Sequence, residues 1–351
     1  MNFTRLTKIL SCMALLGLQS CTTPVAKKQP DKVIMADNAG WQLVWQDDFS
    51  VSTIDLSRWS FEQNCWGGGN NEKQCYTNRS ENAYVKDGLL HLVAKKEQFT
   101  GAALGEHLAD YDPSVTKTLS YTSAKLHTRG KADWLYGRFE IRAKLPPGQG
   151  VWPAIWMLPS TKKYGGWAAS GEIDIMEAVN LGTPSVATLS SPVIIERSVH
   201  GTLHHGASWP DNVHTGTEYQ LPNGASPIDD FHTYAIEWQD GEIRWYVDQQ
   251  HYATQTQEFW YSEYVDEQGE KHLRPGSAPF DQPFYLLINL AVGGGWPESE
   301  NLKGVVPESF PAELIIDFVK VYQCKSEQTP CANIDPLAEL ISNPDSDFGK
   351  Y

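Results

Sequence analysis

Between residues 41 and 323 the chain is a succession of short runs in which apolar and polar side chains alternate, or β-branched and aromatic residues cluster. Residues 89–94, 121–127, 137–143, 199–205, 232–238, 242–247, 284–292 and 314–322 are examples, and Gly, Pro, Asn and Asp separate one from the next. A period of two turns one face of a strand to a core and the other to water. No long amphipathic helical pattern intervenes, and so no βαβ alternation. Many short strands of this kind predict an all-β fold, a sandwich or barrel of antiparallel strands. The spacing is continuous, with no internal linker and no fixed repeat, which predicts one domain over 41–325.

The ends read differently. Arg5 and Lys8 precede an apolar run over residues 9–18, too short to span a bilayer as a stable helix and suited to a signal peptide. Leu18-Gln19-Ser20-Cys21 resembles the lipobox of bacterial lipoproteins. That resemblance implies cleavage after residue 20 and a lipid on Cys21. Thr22 stands where an Asp would signal inner-membrane retention, so the outer membrane is the expected destination; plain secretion is the alternative. Residues 21–40, with Pro and Lys and no apolar period, read as a tether. The polar, Asp-rich stretch 326–351 reads as a tail.

Composition narrows the function. The 351 residues carry 28 basic and 43 acidic side chains, a net charge of −15, which speaks against a general nucleic-acid binder. With 41% hydrophobic and 20% charged residues the chain is not of disordered type. Thirteen Trp, 15 Tyr and 12 Phe supply flat rings for a binding surface as well as a core. With Cys12 in the signal and Cys21 reserved for lipid, Cys65, Cys75, Cys324 and Cys331 remain, and three pairings are open to them. The near neighbours Cys65–Cys75 and Cys324–Cys331 need least chain movement. A zinc site is the rival, without a CxxC or a short Cys/His cluster to support it.

Gly171-Glu172-Ile173-Asp174-Ile175-Met176-Glu177 carries the chemistry. On a pleated strand Glu172 and Asp174 share a face, whereas Glu177 falls on the opposite one. One extra residue near Ile175-Met176, a β-bulge with Met176 as the insertion, returns Glu177 to that face. Three like charges in a row raise one another's pKa. That cost suits glycoside hydrolysis, which needs one ionised and one protonated carboxyl flanking the sugar bond. A solvated acidic strand or a calcium site is the plainer reading of the segment alone. The outer Cα atoms stand roughly 13 Å apart, so the Glu arms must converge across a curved, concave sheet.

The segment resembles the bulged E-x-D-x-x-E branch of glycoside hydrolase family 16. Asn70-Asn71-Glu72 with Tyr76-Thr77, Glu81-Asn82, Asp87-Gly88, the runs 136–140, 148–157 and 200–204, Asn289 to Gly294, and Asp317 to Tyr322 resemble bacterial laminarinases, in order. The likeness implies a β-jelly roll of two curved antiparallel sheets with substrate across the concave one. It implies retention of configuration, with Glu172 as nucleophile, Glu177 as acid then base, and Asp174 tuning Glu172. It also implies a β-1,3-glucan substrate, mixed-linkage β-1,3-1,4-glucan included. Algal galactan hydrolysis and non-catalytic β-glucan binding are the alternatives; the first lacks support because residues 165–180 hold no Lys or Arg, the second because both glutamates remain.

Other candidates surround the acids. Trp152 and Trp156 alternate toward one side, although Pro153 marks a strand start or an edge. Trp167 matches the family's glycone-side Trp. His200 and His204 share a strand face, too far apart for a metal pair and suited to hydrogen bonds with acids or sugar. Asn71 and Asn289 match family positions near the cleft. Lys125 replaces a common Arg, and residues 98–118 form a longer connection able to reshape one end of the cleft. Trp41, Trp45, Trp59, Trp238 and Trp245 read as core. The Gly67–Gly69 and Gly293–Gly295 runs lack the sequence of a phosphate loop and read as turns or close approaches. The resemblance further implies a structural calcium on Asp48, the Gly88 carbonyl and Asp317. No cofactor is expected for catalysis, and the chain is expected to be a monomer.

Overall fold

Two large sheets share one apolar core in the computed structural model, which describes residues 40–185, 193–266, 268–325, 331 and 339–341. All of these fall in the unit Asn38–Tyr351. The signal segment, the tether up to residue 39 with Cys21, and most of the tail lie outside the described residues.

Among the described residues the sheet that carries the acids has nine strands. It contains β2 (Ser60–Phe61), β7 (Lys125–His127), β9 (Val151–Pro159), β10 (Glu172–Glu177), β11 (Val199–Gly206), β12 (Asn212–Tyr219), β16 (Tyr261–Val265), β17 (Lys271–Pro275) and β18 (Phe284–Val292). The order is β17-β16-β11-β10-β9-β18-β7-β2, with β12 also on β11. The second sheet has eleven: β1 (Trp41–Asp47), β3 (Gln74–Tyr76), β4 (Ala83–Lys86), β5 (Leu89–Ala102), β6 (Thr116–Ser123), β8 (Gly137–Lys144), β13 (His232–Gln239), β14 (Glu242–Val247), β15 (Gln250–Thr256), β19 (Ala312–Cys324) and β20 (Glu339–Ile341). Most pairings are antiparallel, as expected for a jelly roll; β3–β6, β11–β16 and β15–β20 are parallel.

The alternation works as the sequence suggests. In β8, Phe139 and Ile141 are fully buried and meet Ile155 and Met157 of β9 and Ile173 of β10 in the same core. Trp59, Trp238 and Trp245 have no exposure, Trp41 is buried, and Trp45 lies half-buried against Trp59 and Trp134.

Three sequence expectations change. Residues 121–127 are one run in sequence but two strands in space: the chain leaves the second sheet after Ser123 and enters the first at Lys125, with Ala124 buried at the crossing. Pro153 lies inside β9, between β10 and β18, and not at a start or an edge. Its carbonyl accepts the amide of Ala178, one residue past β10, so its missing N–H faces the point where the neighbouring ladder ends. The tail supplies β20, which pairs with β15. Both local disulfides form, Cys65–Cys75 and Cys324–Cys331.

Ile173 is fully buried behind the acids. Ile173→Ala is expected to cost about 2–5 kcal/mol of stability by urea unfolding, as a large-to-small change in a packed core.

Candidate active site

The bulge is present on β10. Against β11 the pairs are Glu172 with His204, Asp174 with Thr202, then Glu177 with His200, so Gly201 faces both Ile175 and Met176. Against β9, Asp174 pairs with Trp156 and Met176 with Ile155, so on that side the unpaired residue is Ile175 and not Met176. The inserted residue turns Glu177 back to the face of Glu172 and Asp174, while Ile173, Ile175 and Met176 are buried.

Each glutamate is held by an indole. Trp167 Nε1 donates to Glu172 Oε2 at 2.8 Å, and Trp152 Nε1 donates to Glu177 Oε1 at 2.9 Å. His204 Nε2 lies 3.3 Å from Asp174 Oδ2 and 3.6 Å from Glu172 Oε1, so the imidazole spans the nucleophile candidate and its neighbour. Burial, and next the Asp174 charge, raise Glu172 from the ordinary carboxylate range to about 8; Glu177 adds to the rise, and His204 and Trp167 oppose it. Burial and Asp174 also raise Glu177 to about 8, against His204 and Trp152, with Glu72 adding to the rise. Asp174 itself is raised by burial. The three acids do not all ionise together near neutral pH. One can therefore donate a proton while another, favoured by an indole and an imidazole, stays ionised, which is the state that acid-assisted nucleophilic cleavage needs.

The model of glycosyl hydrolases family 16 matches residues 70–296. The chain belongs to this family. It is 38% identical over 293 residues to glucan endo-1,3-beta-glucosidase A1 of Niallia circulans, an overlap of 81% of this chain and 38% of that protein. It is 42% identical over 289 residues to a beta-glucanase of Rhodothermus marinus, covering 81% of this chain and 85% of the relative. The X-ray structure of the laminarinase from Rhodothermus marinus superposes with a TM-score of 0.60 at 38% identity, over 82% of this chain and 98% of that one.

The other expected site residues of this family 16 chain take the following places. Trp156 Nε1 donates to Asn289 Oδ1 at 2.7 Å, and Asn289 Nδ2 donates to the Tyr76 hydroxyl at 3.1 Å. Lys125 Nζ sits 4.6 Å from the Trp156 ring centroid, beside the same group. Trp167 is 41% exposed, a large open ring beside the half-buried Glu172. Asn71 occupies an exposed turn with a left-handed backbone. His200 packs edge-on to Trp296, and burial lowers its pKa to about 4, so it is neutral at ordinary pH. The 98–118 connection extends the β5–β6 hairpin and brings His107 Nδ1 to 3.2 Å from Glu62, whose amide bonds the Lys125 carbonyl.

Two residues were not singled out from the sequence. Trp296, in the short helix α1 (Gly295–Ser299), meets both Trp152 and His200. Its signal is an aromatic directly after the Gly293–Gly295 run. Glu72 is buried and accepts Gln74 Nε2 at 2.6 Å; a Cβ on Gly68 would lie 2.1 Å from Glu72 Oε1, so that glycine makes room for the carboxylate. Nothing in the spacing of Asn70-Asn71-Glu72 separates a buried acid from an exposed one.

The expected calcium donors border one stretch of β19. Asp48 follows the Asp47–Val319 pair, and Gly88 precedes β5, whose Leu90 pairs with Ile316. Two carboxylates and a carbonyl suit calcium in kind. Asp317 Oδ2 already accepts Arg142 Nη1 at 2.5 Å, so a cation there must share this carboxylate with a guanidinium.

Trp167→Phe removes a donor that favours the Glu172 anion, so the acidic limb of the kcat/KM profile on a glucan is expected to move to higher pH. The raised acids also set a stability profile. An unfolded chain ionises Glu172 and Glu177 near their ordinary range, whereas the fold raises each to about 8, so stability is lost as pH rises across that window. The gain in Tm from Glu177→Gln is therefore expected to be larger at pH 8 than at pH 4, by calorimetry.

Proposed function

We propose that this chain is a retaining endo-β-1,3-glucanase, active on laminarin-type and mixed-linkage glucans. One observation carries the reading: the bulge turns Glu172 and Glu177 to the same face of a strand, each under an indole N–H. The names of the relatives, glucanases and a laminarinase, support the substrate. Glu172 attacks the anomeric carbon while Glu177 gives its proton to the departing glycosidic oxygen. The now ionised Glu177 then takes a proton from water, whose oxygen displaces Glu172 from the sugar. Asp174 and His204 set the charge on Glu172. The faces of Trp156, Trp167 and Trp296 offer apolar contact to the flat C–H faces of glucose rings.

The same proposal places the enzyme outside the cytoplasm as a monomer, tied to the outer membrane by lipid on Cys21, with Cys324–Cys331 and Cys65–Cys75 suited to an oxidising compartment. It includes calcium at Asp48, Gly88 and Asp317 as a structural ion only.

Reducing-end release from laminarin, mixed-linkage β-glucan, agarose and carrageenan, with Glu172→Gln as blank, tests it. Laminarin is expected to be cleaved by the parent and not by Glu172→Gln, with Glu177→Gln slower by roughly 10²–10⁴-fold. Proton NMR is expected to show the β-anomer first. Cleavage confined to a galactan would overturn the substrate, and silence on all four with laminarin still bound would leave a binding protein.

A further inference from the structure

The backbone carbonyl of Asp174 lies where the register of β10 shifts, and it accepts the indole N–H of Trp245 at 2.9 Å. Trp245 belongs to β14 of the opposite sheet and is fully buried. Its edge reaches the catalytic strand across the side-chain space that Gly201 of β11 leaves empty. Gly201 faces the bulge from that strand, between the cleft-facing His200 and Thr202. A Cβ on Gly201 would stand 2.4 Å from Trp245 Cδ1, 2.6 Å from Nε1 and 2.7 Å from the Tyr252 hydroxyl. The indole and a phenol thus occupy the space a side chain at this position would need.

We propose that Trp245 is a positioning residue for the reaction: its hydrogen bond to the Asp174 carbonyl, admitted by Gly201, fixes the bulge and thereby the placement of Glu177 relative to Glu172. A bulge leaves its extra residue unpaired and the ladder locally disrupted, so the register there needs support from outside the ladder. A slip of one residue sends a side chain to the other face. Here such a slip would turn Glu177 into the core and an apolar neighbour into the cleft. A hydrogen bond from the far sheet distinguishes the two registers, because only one presents the Asp174 carbonyl to the indole. An unpaired buried carbonyl carries a desolvation cost, so the bond favours the bulged register. The second sheet thus acts on the chemistry through backbone alone, without touching substrate.

This inference rests on the reading of Glu172 and Glu177 as the reacting pair. Trp245→Phe removes the donor, and 3-benzothienylalanine at position 245 removes it while keeping the bicyclic shape, so that a variant of near-native volume remains even if the Phe variant fails to fold. Gly201→Ala is a separate route to the same displacement. Trp238→Phe is the control: it deletes another buried indole donor, to the Phe280 carbonyl at 3.2 Å, away from the bulge. Assays on laminarin would follow kcat, KM and the basic limb of kcat/KM. Glu177 is faced by Glu172 and Asp174 on its own strand, His200 and His204 on β11, and Glu72, so a change in its placement changes that limb.

The benzothienyl variant is expected to lose roughly tenfold to a hundredfold in kcat, with KM within about twofold and the basic limb displaced. Trp238→Phe is expected to lower Tm and leave the limb in place. Parent kcat and an unmoved limb in the benzothienyl variant would overturn the proposal, as would the same kinetic change in Trp238→Phe. If Glu172→Gln, assayed alongside, kept parent activity, the catalytic reading would fall and this inference with it; an inactive Glu172→Gln with normal Trp245 variants would sink the positioning role alone.

Discussion

Glu172, Asp174 and Glu177 must face one way from a single short strand, and an ideal pleat forbids it. The bulge that resolves the conflict shifts the register of β10 against both neighbours and leaves backbone groups in need of partners. Much of the surrounding structure answers that need. The Asp174 carbonyl is met by Trp245 from the opposite sheet, Gly201 is kept bare so that the indole fits, and Pro153 is tolerated where β10 has run out. Site and core are one arrangement here: the residues behind the catalytic strand are shaped by what it presents in front.

Electrostatics follow from the same geometry. Packing the acids side by side in a half-dry cleft pushes their pKa values up, and the groups that moderate the rise are the His204 imidazole and two indoles rather than guanidinium groups. A tryptophan offers an N–H to a carboxylate at its edge and an apolar face to a sugar ring. Trp152 and Trp167 can serve both purposes, which accounts for part of the chain's high aromatic content. The long-range supports, Trp156 to Asn289 to Tyr76 and Tyr76 to Glu72, join β9, β18 and β3 into one wall of hydrogen-bonding side chains.

How legible this was depends on the distance over which each feature is decided. The strands, the acid triplet, the need for a bulge and both local disulfides depend on neighbours in sequence, where the period of the pleat and the reach of a short loop already constrain the answer. The crossing at Ala124 was hidden because a run that alternates well in one sheet continues to alternate after passing into the other. Pro153 misled because its place in the ladder depends on where a different strand ends. Trp296 and Glu72 carried no period of their own.

The sequence by itself determined that this is an all-β chain with three carboxyl groups on one strand and an insertion between them, since side-chain alternation is a local property of the backbone. Only the tertiary structure decided which residue is left unpaired, Ile175 against β9, and which indoles reach the acids. Only there does Trp245, read from sequence as plain core, prove to be bonded to the catalytic strand. Those outcomes depend on which strand lies beside which and on where a glycine leaves room, and no spacing along the chain records either.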